Sequence, residues 1–263
     1  MTAFGFPTEN WARLGTVTAS AEVAGLGAGQ VQTDQGSSAS AWQTPAGVTS
    51  AALTIDAGAS QSWRAFTLHR TNLTVAATVR WRVSNDPAFG TSVYDSGVIS
   101  AGIAAGYGQS ILFLTAAQVG RYGRVDIADP TNPEALLRIP LVFAGPVRTP
   151  TRRFGVTGTA FQRQASAPAV VTRGGQEYPD FRYAQRGWTV LLPLLTAAEG
   201  WTLAQELQRA NEGGANLLFL PYLASTTAGQ EAVFGRVINP SPLTFPNGAQ
   251  RVRSWSATIT ERL

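Results

Sequence analysis

The stretch RYGRVDIADPTNPEALLRIPLVFAG, residues 121–145, decides the reading of the fold. Val125 and Ile127 alternate with Arg124 and Asp126, and Ile139, Leu141 and Phe143 form a second run of period two. Successive side chains on a strand point to opposite faces, so each run offers one apolar face. Between the runs, Asp129-Pro130 and Asn132-Pro133 favour turns, because proline fixes φ and Asp or Asn bonds its own backbone. After Gly145 the composition changes. The pattern predicts the closing strands of a β-domain with a boundary just beyond them.

Upstream, the same period recurs. Leu53 and Ile55 alternate with Thr54 and Asp56, Phe66 and Leu68 with Thr67 and His69, and Val79, Trp81 and Val83 with Arg80 and Arg82. Three amphipathic strands in about thirty residues imply antiparallel sheets with one buried face. Ser84-Asn85-Asp86-Pro87 and Tyr94-Asp95-Ser96-Gly97 punctuate them as turns, and strands this short suggest a sandwich or jelly roll. Residues 15–50 are rich in Gly, Ala, Ser and Thr without periodicity, so residues 1–39 are expected to form an arm or lead-in to a domain at 40–145.

Downstream, Gly145-Pro146-Val147-Arg148-Thr149-Pro150 reads as a linker (146–150) before a second domain at 151–263. Phe154 to Phe161, Trp188 to Leu195, Asn216 to Pro221, Val233 to Ile238 and Arg251 to Thr260 are expected strands. One helix is expected between them. Thr196 is its N-cap with Glu199 three residues on, Trp201, Leu203, Ala204 and Leu207 form its apolar face, and Gly213-Gly214 stops it. The expected fold is therefore mainly β: a sandwich, then an α+β unit flanked by one helix.

Composition narrows the function classes. A chain of 263 residues should bury roughly 70–75% of its unfolded surface, enough for two ordinary cores. It has no cysteine, which excludes disulfides and thiolate metal sites. No apolar run approaches the roughly 18 residues that span a bilayer, and the N-terminus shows no basic-then-apolar export pattern, so a soluble protein is expected. Every one of the 20 basic residues is arginine, whose planar fork suits bidentate contacts. Residues 1–145 hold 8 Arg against 9 acidic residues and residues 146–263 hold 12 against 7, yet only Arg152 and Arg153 are adjacent. Scattered arginines without a basic helix give no nucleic-acid signal.

The order AWQTPAG, LTIDAG, WRAFTLHRTNLT, TVRWRVSNDPAF, VYDSG and RYGRVDIADPTNP, over residues 40–145, resembles the galactose-binding-like jelly roll of tailed-bacteriophage structural proteins. The phrases NLLFLPYLA, AVFGRVINPSPLTF and SWSATITERL are similar to the tube-like domain of distal tail proteins, although here the ring-forming domain would come second rather than first. The resemblance implies a structural protein of the phage tail tip or baseplate, located in the virion and made in the host cytoplasm. Copies would join in a ring, expected as a hexamer, that links tail tube, hub and fibre proteins. A carbohydrate-binding receptor protein that attaches the virion to host surface glycans is the alternative, and a cell-wall glycan hydrolase the second.

Catalytic groups are sparse. His69 is the lone histidine, so histidine-pair metal centres are excluded and a Ser-His-Asp device would need that ring. Asp126 with Asp129, or Asp86 with Asp95, have the residue types of a glycosidase pair, but carboxylates beside turns usually cap them. No enzyme activity, cofactor or metal is expected. Gly25-Leu26-Gly27-Ala28-Gly29 lacks the third glycine of a dinucleotide loop, since Gln30 stands there. Asn72-Leu73-Thr74 fits a glycosylation sequon without an export signal to give it force. Trp42, Trp63, Trp81, Tyr94 and Tyr107 have rings that could stack on sugars, Trp81 being read as core because Val79 and Val83 share its face. The expected glycan contacts are Trp63, Tyr94, Tyr107, Arg80 and Arg82.

Overall fold

The computed structural model describes residues 2–152, 154–155, 157–223, 227–247 and 252–262. The chain is mainly β, as the periodicity implied, and divides into two compact units. Unit 1 comprises residues 1–149 together with 218–232, and unit 2 comprises 150–217 and 233–263. Among the described residues no helix is long and apolar enough to cross a membrane.

Unit 1 is an antiparallel assembly in which two long strands, Ser50–His69 and Ser110–Ala128, pair along most of their length. The register shifts between Asp56 and Gln61 and again between Trp63 and Ala65. Such bulges bend a strand and increase its twist. Outside this pair lie Leu141–Gly145 and Thr16–Ala19 against the first strand, and Thr78–Ser84 against the second. Alternation does what it predicted: Leu53, Ile55, Val79, Trp81, Val83, Val125 and Ile127 are buried in one apolar cluster. At its centre Phe66 lies between Trp63 and Trp81, with ring centroids 5.8 and 5.0 Å away.

Residues 2–40 are not a loose arm. They form the strands Ala3–Gly5 and Thr16–Ala19, the helix Trp11–Leu14 and a 3-10 turn at Ala28–Gln32, and Ala12, Val17, Ala28 and Val31 enter the core. Their apolar side chains act as isolated anchors among small residues, so no periodicity betrayed them. The stretch expected as a linker is likewise packed as far as Thr149. Val147 is buried, Arg148 exchanges backbone bonds of 2.9 and 2.8 Å with Phe4, and its guanidinium pairs with Glu9 at 2.6 Å.

The late segment 218–232 completes unit 1. Leu218, Phe219 and Leu220 pair with Gly5, Phe4 and Ala3, and the Phe4 and Phe219 rings sit 5.2 Å apart. Gln109 donates to the carbonyl of Ala232 at 3.1 Å and to that of Gly229. With its amide thus committed, Gln109 Oε1 faces His69 Nδ1 at 3.0 Å, while Thr67 Oγ1 meets Nε2 at 2.7 Å. The lone histidine is thus a buried structural residue of this network.

Unit 2 has the strands Val233–Ile238, Val252–Glu261, Tyr183–Leu195 and Ala160–Ser166 side by side, all antiparallel. The helix of residues 197–212 packs on the first of them. Its start is as read: Thr196 accepts from the Glu199 amide and Glu199 returns the bond to Thr196 N–H, while Gly213 and Gly214 (φ +60°) end it. Its face differs from expectation. A π-turn at Gly200–Ala204 shifts the register, burying Leu203, Ala204 and Leu207 but leaving Trp201 54% exposed. The strand expected from Phe154 begins at Ala160, and the expected Arg251 lies outside the described residues.

Candidate functional site

Alternation along Thr78–Ser84 sends Val79, Trp81 and Val83 into the core, which leaves Thr78, Arg80 and Arg82 on the opposite face. On the neighbouring strand the register places Asp126 opposite Arg80 and Arg124 opposite Arg82, and Asp95 lies beside Arg82 on the other side. Like charges directly opposite one another destabilise a sheet. Here a shared carboxylate offsets the repulsion: Asp126 accepts from Arg82 Nη2 at 2.7 Å and from Arg124 Nε at 2.9 Å. Phe89 adds to this from above, its ring centroid 5.3 Å from the Arg82 guanidinium and 5.9 Å from that of Arg124. The loop carrying Phe89 is fixed by Asp86, which accepts from Ala88 N and Gly90 N at 2.9 Å each.

Arg80 forms a two-pronged pair with Asp95, which also accepts from Gly97 N at 2.9 Å. The hydrogen bonds from Arg80 are the main reason that the Asp95 carboxyl is pushed down to about 2. A folded-state value below the ordinary 3.8 means that this pair stabilises the fold fully above the unfolded value and is lost as pH falls through about 2. NMR titration of the Asp95 carboxyl carbon should therefore show no inflection between pH 7 and 3. An ordinary midpoint near 3.8 would mean that the pair does not persist in solution.

Of these, Arg80, Arg82 and Asp126 line a shallow groove of about 230 Å³ together with Ser50, Thr78, Val79, Val98, Ile127 and Ala128. Val98 is 72% exposed, an isopropyl group held beside the charged pairs. Arg82 Nε is buried without a hydrogen-bond partner among the described residues. Three guanidinium groups against two carboxylates leave this face one positive charge in excess. The arrangement supplies planar donors, carboxylate acceptors, hydroxyls and one apolar contact, which is the chemistry needed to hold vicinal hydroxyls.

Of the five expected glycan contacts the groove takes in Arg80 and Arg82 only. Trp63 is fully buried, its Nε1 donating to the Gly120 carbonyl at 2.7 Å, so its ring is closed to a ligand. Tyr94 packs against the core on the side of Val83, and burial raises its phenol pKa. Tyr107 sits half-buried in the 101–109 loop, away from the groove lining. Trp42 is buried and donates to the Ala21 carbonyl at 3.0 Å. Val98, Thr78 and Ser50 also line the groove without having been expected there, and Asp126, a candidate for a carboxylate pair, joins them. Asp126 shares the outward period of Arg124, so the signal was present there, whereas Val98 follows a turn and carries no pattern.

Asp129, the carboxylate matched with Asp126 on residue type, has structural partners. Asp129 is fully buried and accepts from Thr74 N, Thr74 Oγ1 and Asn132 Nδ2 at 2.8, 2.7 and 3.1 Å. The sequon asparagine is similarly engaged: Asn72 Nδ2 donates to the Leu136 carbonyl at 2.9 Å and Oδ1 accepts from Arg138 N at 2.8 Å.

No family model and no curated protein matches the chain. Among solved structures it is similar to the lectin domain of lectinolysin complexed with Lewis B antigen, at 19% identity and TM-score 0.41, covering 52% of this chain and 96% of that one. It is also similar to chitosan-binding module 1 of a chitosanase/glucanase from Paenibacillus sp. IK-5, at 24% identity and TM-score 0.39, covering 52% and 98%. A third is a fucose-binding module from Streptococcus pneumoniae, at 14% identity and TM-score 0.40, covering 52% and 94%.

Proposed function

We propose that unit 1 is a carbohydrate-binding module whose groove on the Thr78–Ser84 face holds one sugar ring of a longer glycan. The observation that carries this reading is the juxtaposition of the Arg80–Asp95 and Arg82–Asp126 pairs with the exposed Val98. Paired charges hold each other in place, so the donors and acceptors are set before a ligand arrives and less ordering is lost on binding. The groove is smaller than the roughly 300 Å³ at which drug-sized ligands are enclosed. The rest of the glycan would lie in solvent, which makes a single site weak and many copies advantageous.

A hydrogen bond to a charged group contributes about 1.5–3 kcal/mol, and about 1.4 kcal/mol is tenfold in affinity. Arg82→Ala should therefore weaken glycan retention by about 10- to 100-fold. Arg64→Ala serves as the control, since Arg64 lies over the Phe113 ring and outside the groove. A glycan array followed by calorimetry on the best ligand measures both. Equal binding by wild type, Arg82→Ala and Asp126→Asn, all folded, would end the assignment.

A second reading, an architectural ring subunit of a phage tail tip that joins tube, hub and fibre proteins, draws support from a different place. Unit 2 leaves a two-stranded ribbon with large apolar side chains uncovered, a surface that assembly would bury.

A further inference from the structure

Residues 160–183 are exposed throughout, Ser166 alone being half-buried. Ala160–Ser166 runs along Tyr183–Leu195 at the edge of the unit 2 sheet, and the chain then continues outward. There Ala169–Val171 and Glu177–Pro179 pair with each other alone, in a two-stranded sheet. The turn at the tip is well made. Gly175 (φ +79°) donates to the Thr172 carbonyl at 2.9 Å, and Gln176 N donates to Thr172 Oγ1 at 3.2 Å.

Such a ribbon is marginal in water, because it has no third strand and no core of its own. Yet it is where uncovered apolar groups concentrate: among the described residues, six of the fifteen exposed large hydrophobic side chains fall between Phe161 and Tyr183. Val170 stands directly opposite Tyr178, at 67% and 58% exposure. Val171 is one step from Val170 and so occupies the other face, and Phe181, two residues past the end of the second strand, is 64% exposed. Both faces of the ribbon therefore ask for a partner.

We infer that residues 160–183 are an arm that seats on a second copy of this chain. The inference rests on the assembling reading above and assigns the contact within it. Two features favour a copy over another occupant. The first is size: a stable protein interface takes about 20–30 residues a side, and the arm alone presents 23 exposed ones. The second is charge. The arm carries Arg163, Arg173 and Arg182 against Glu177 and Asp180, a net charge of only +1 and too small a charge for nucleic acid or an anionic lipid surface to grip. Arg182 already pairs with Asp180 of its own chain at 3.2 Å, and two identical arms can set Arg173 of one against Glu177 of the other. Phe, Tyr and Arg are also the side chains that interface centres favour.

Sedimentation equilibrium of the full chain tests this. The wild type should exceed the monomer mass of 27.8 kDa. Val170→Glu/Tyr178→Glu, with like charges added on one face, should return to it with self-affinity weakened about 100-fold or more, as expected for removing a buried aromatic anchor and its neighbour. Val171→Glu/Phe181→Glu probes the other face and the chain just past the second strand in the same way. All four side chains are exposed, so circular dichroism and melting temperature should not change and folding is controlled. A wild type that stays at 27.8 kDa at every concentration overturns the inference together with any self-assembled ring. A wild-type multimer that neither variant loosens overturns the arm alone, and leaves assembly through another surface.

Discussion

Trp63→Ala will cost unit 1 about 4 kcal/mol or more, the upper part of the range for truncating a buried aromatic. Three effects add. The indole is fully buried and stacked on Phe66 at a 9° interplanar angle, so a large cavity opens in the centre of the core. The Gly120 carbonyl, itself buried, loses its indole donor and with it the compensation for leaving water. The wall opposite is backbone: a Cβ at Gly123 would stand 2.7 Å from the Trp63 ring, and Gly123 is paired with Ile55 on one side and Val83 on the other, so the strand is held in the sheet and has no side chain there to fill the gap. For a unit of this size each kcal/mol moves Tm by about 2–4 °C, so a fall of about 8–16 °C is expected by calorimetry. Trp63→Phe, which keeps one aromatic ring against Phe66 but loses the indole N–H and the volume of the second ring, should fall between. A drop of less than about 3 °C for the alanine variant would contradict the packing described.

Asp129→Ala is expected to be as severe by a different route. The buried carboxylate satisfies two donors on Thr74 and one on Asn132, and its own amide donates to the Thr49 carbonyl at 2.9 Å. Removing it takes the acceptor from two part-buried Thr74 donors and from one N–H of the buried Asn132, whose bond to the Asn72 carbonyl at 3.0 Å remains, at about 1–3 kcal/mol for each donor left unpaired. Asp129→Asn keeps the shape but turns one acceptor into a donor facing donors, and should lose most of the same stability. Asp129 also follows Ala128 at the end of the strand that presents Asp126 to the groove. Glycan retention should therefore weaken alongside Tm. Hydrogen exchange at the Thr74 amide is the local readout: protection equal to wild type in Asp129→Ala would show that this carboxylate does not hold the loop.

Local signals were read well where one rule acted alone. The runs at 121–128 and 79–83 are strands with the expected buried faces, because alternation over a half-buried sheet is nearly a geometric necessity. The run expected from Ile139 to Phe143 is instead broken at Pro140, and Leu141–Gly145 is buried on both faces, with Val142 and Ala144 in the core cluster. The capping box at Thr196 is decided by three residues and no tertiary context. What the sequence hid are features that depend on distant partners. Residues 2–40 pack through single anchors such as Ala12 and Val31, which carry no period. The arm at 160–183 has Gly174-Gly175 between Val170-Val171 and Tyr178, a hairpin signal that went unread because neither flank is amphipathic. Half the candidate site was legible, since outward arginines on a strand are visible in the pattern. Whether an aromatic lies outside or in the core was not, and Trp63 shows why: its fate depends on a strand sixty residues later.

The membership of residues 218–232 in unit 1 has a consequence for synthesis. A ribosome makes the chain in order, so the first unit emerges without the strand that pairs with Ala3–Gly5 and without the carbonyls that Gln109 needs. Until nearly nine-tenths of the chain is made, Phe4 lacks its ring partner Phe219 and one sheet edge stays open. Cutting the gene at the visible boundary near Pro150 would therefore yield an unfinished first unit rather than an independent one. Unit 1 is therefore completed only after the first part of unit 2, residues 150–217, has been translated, and the rest of unit 2 follows it.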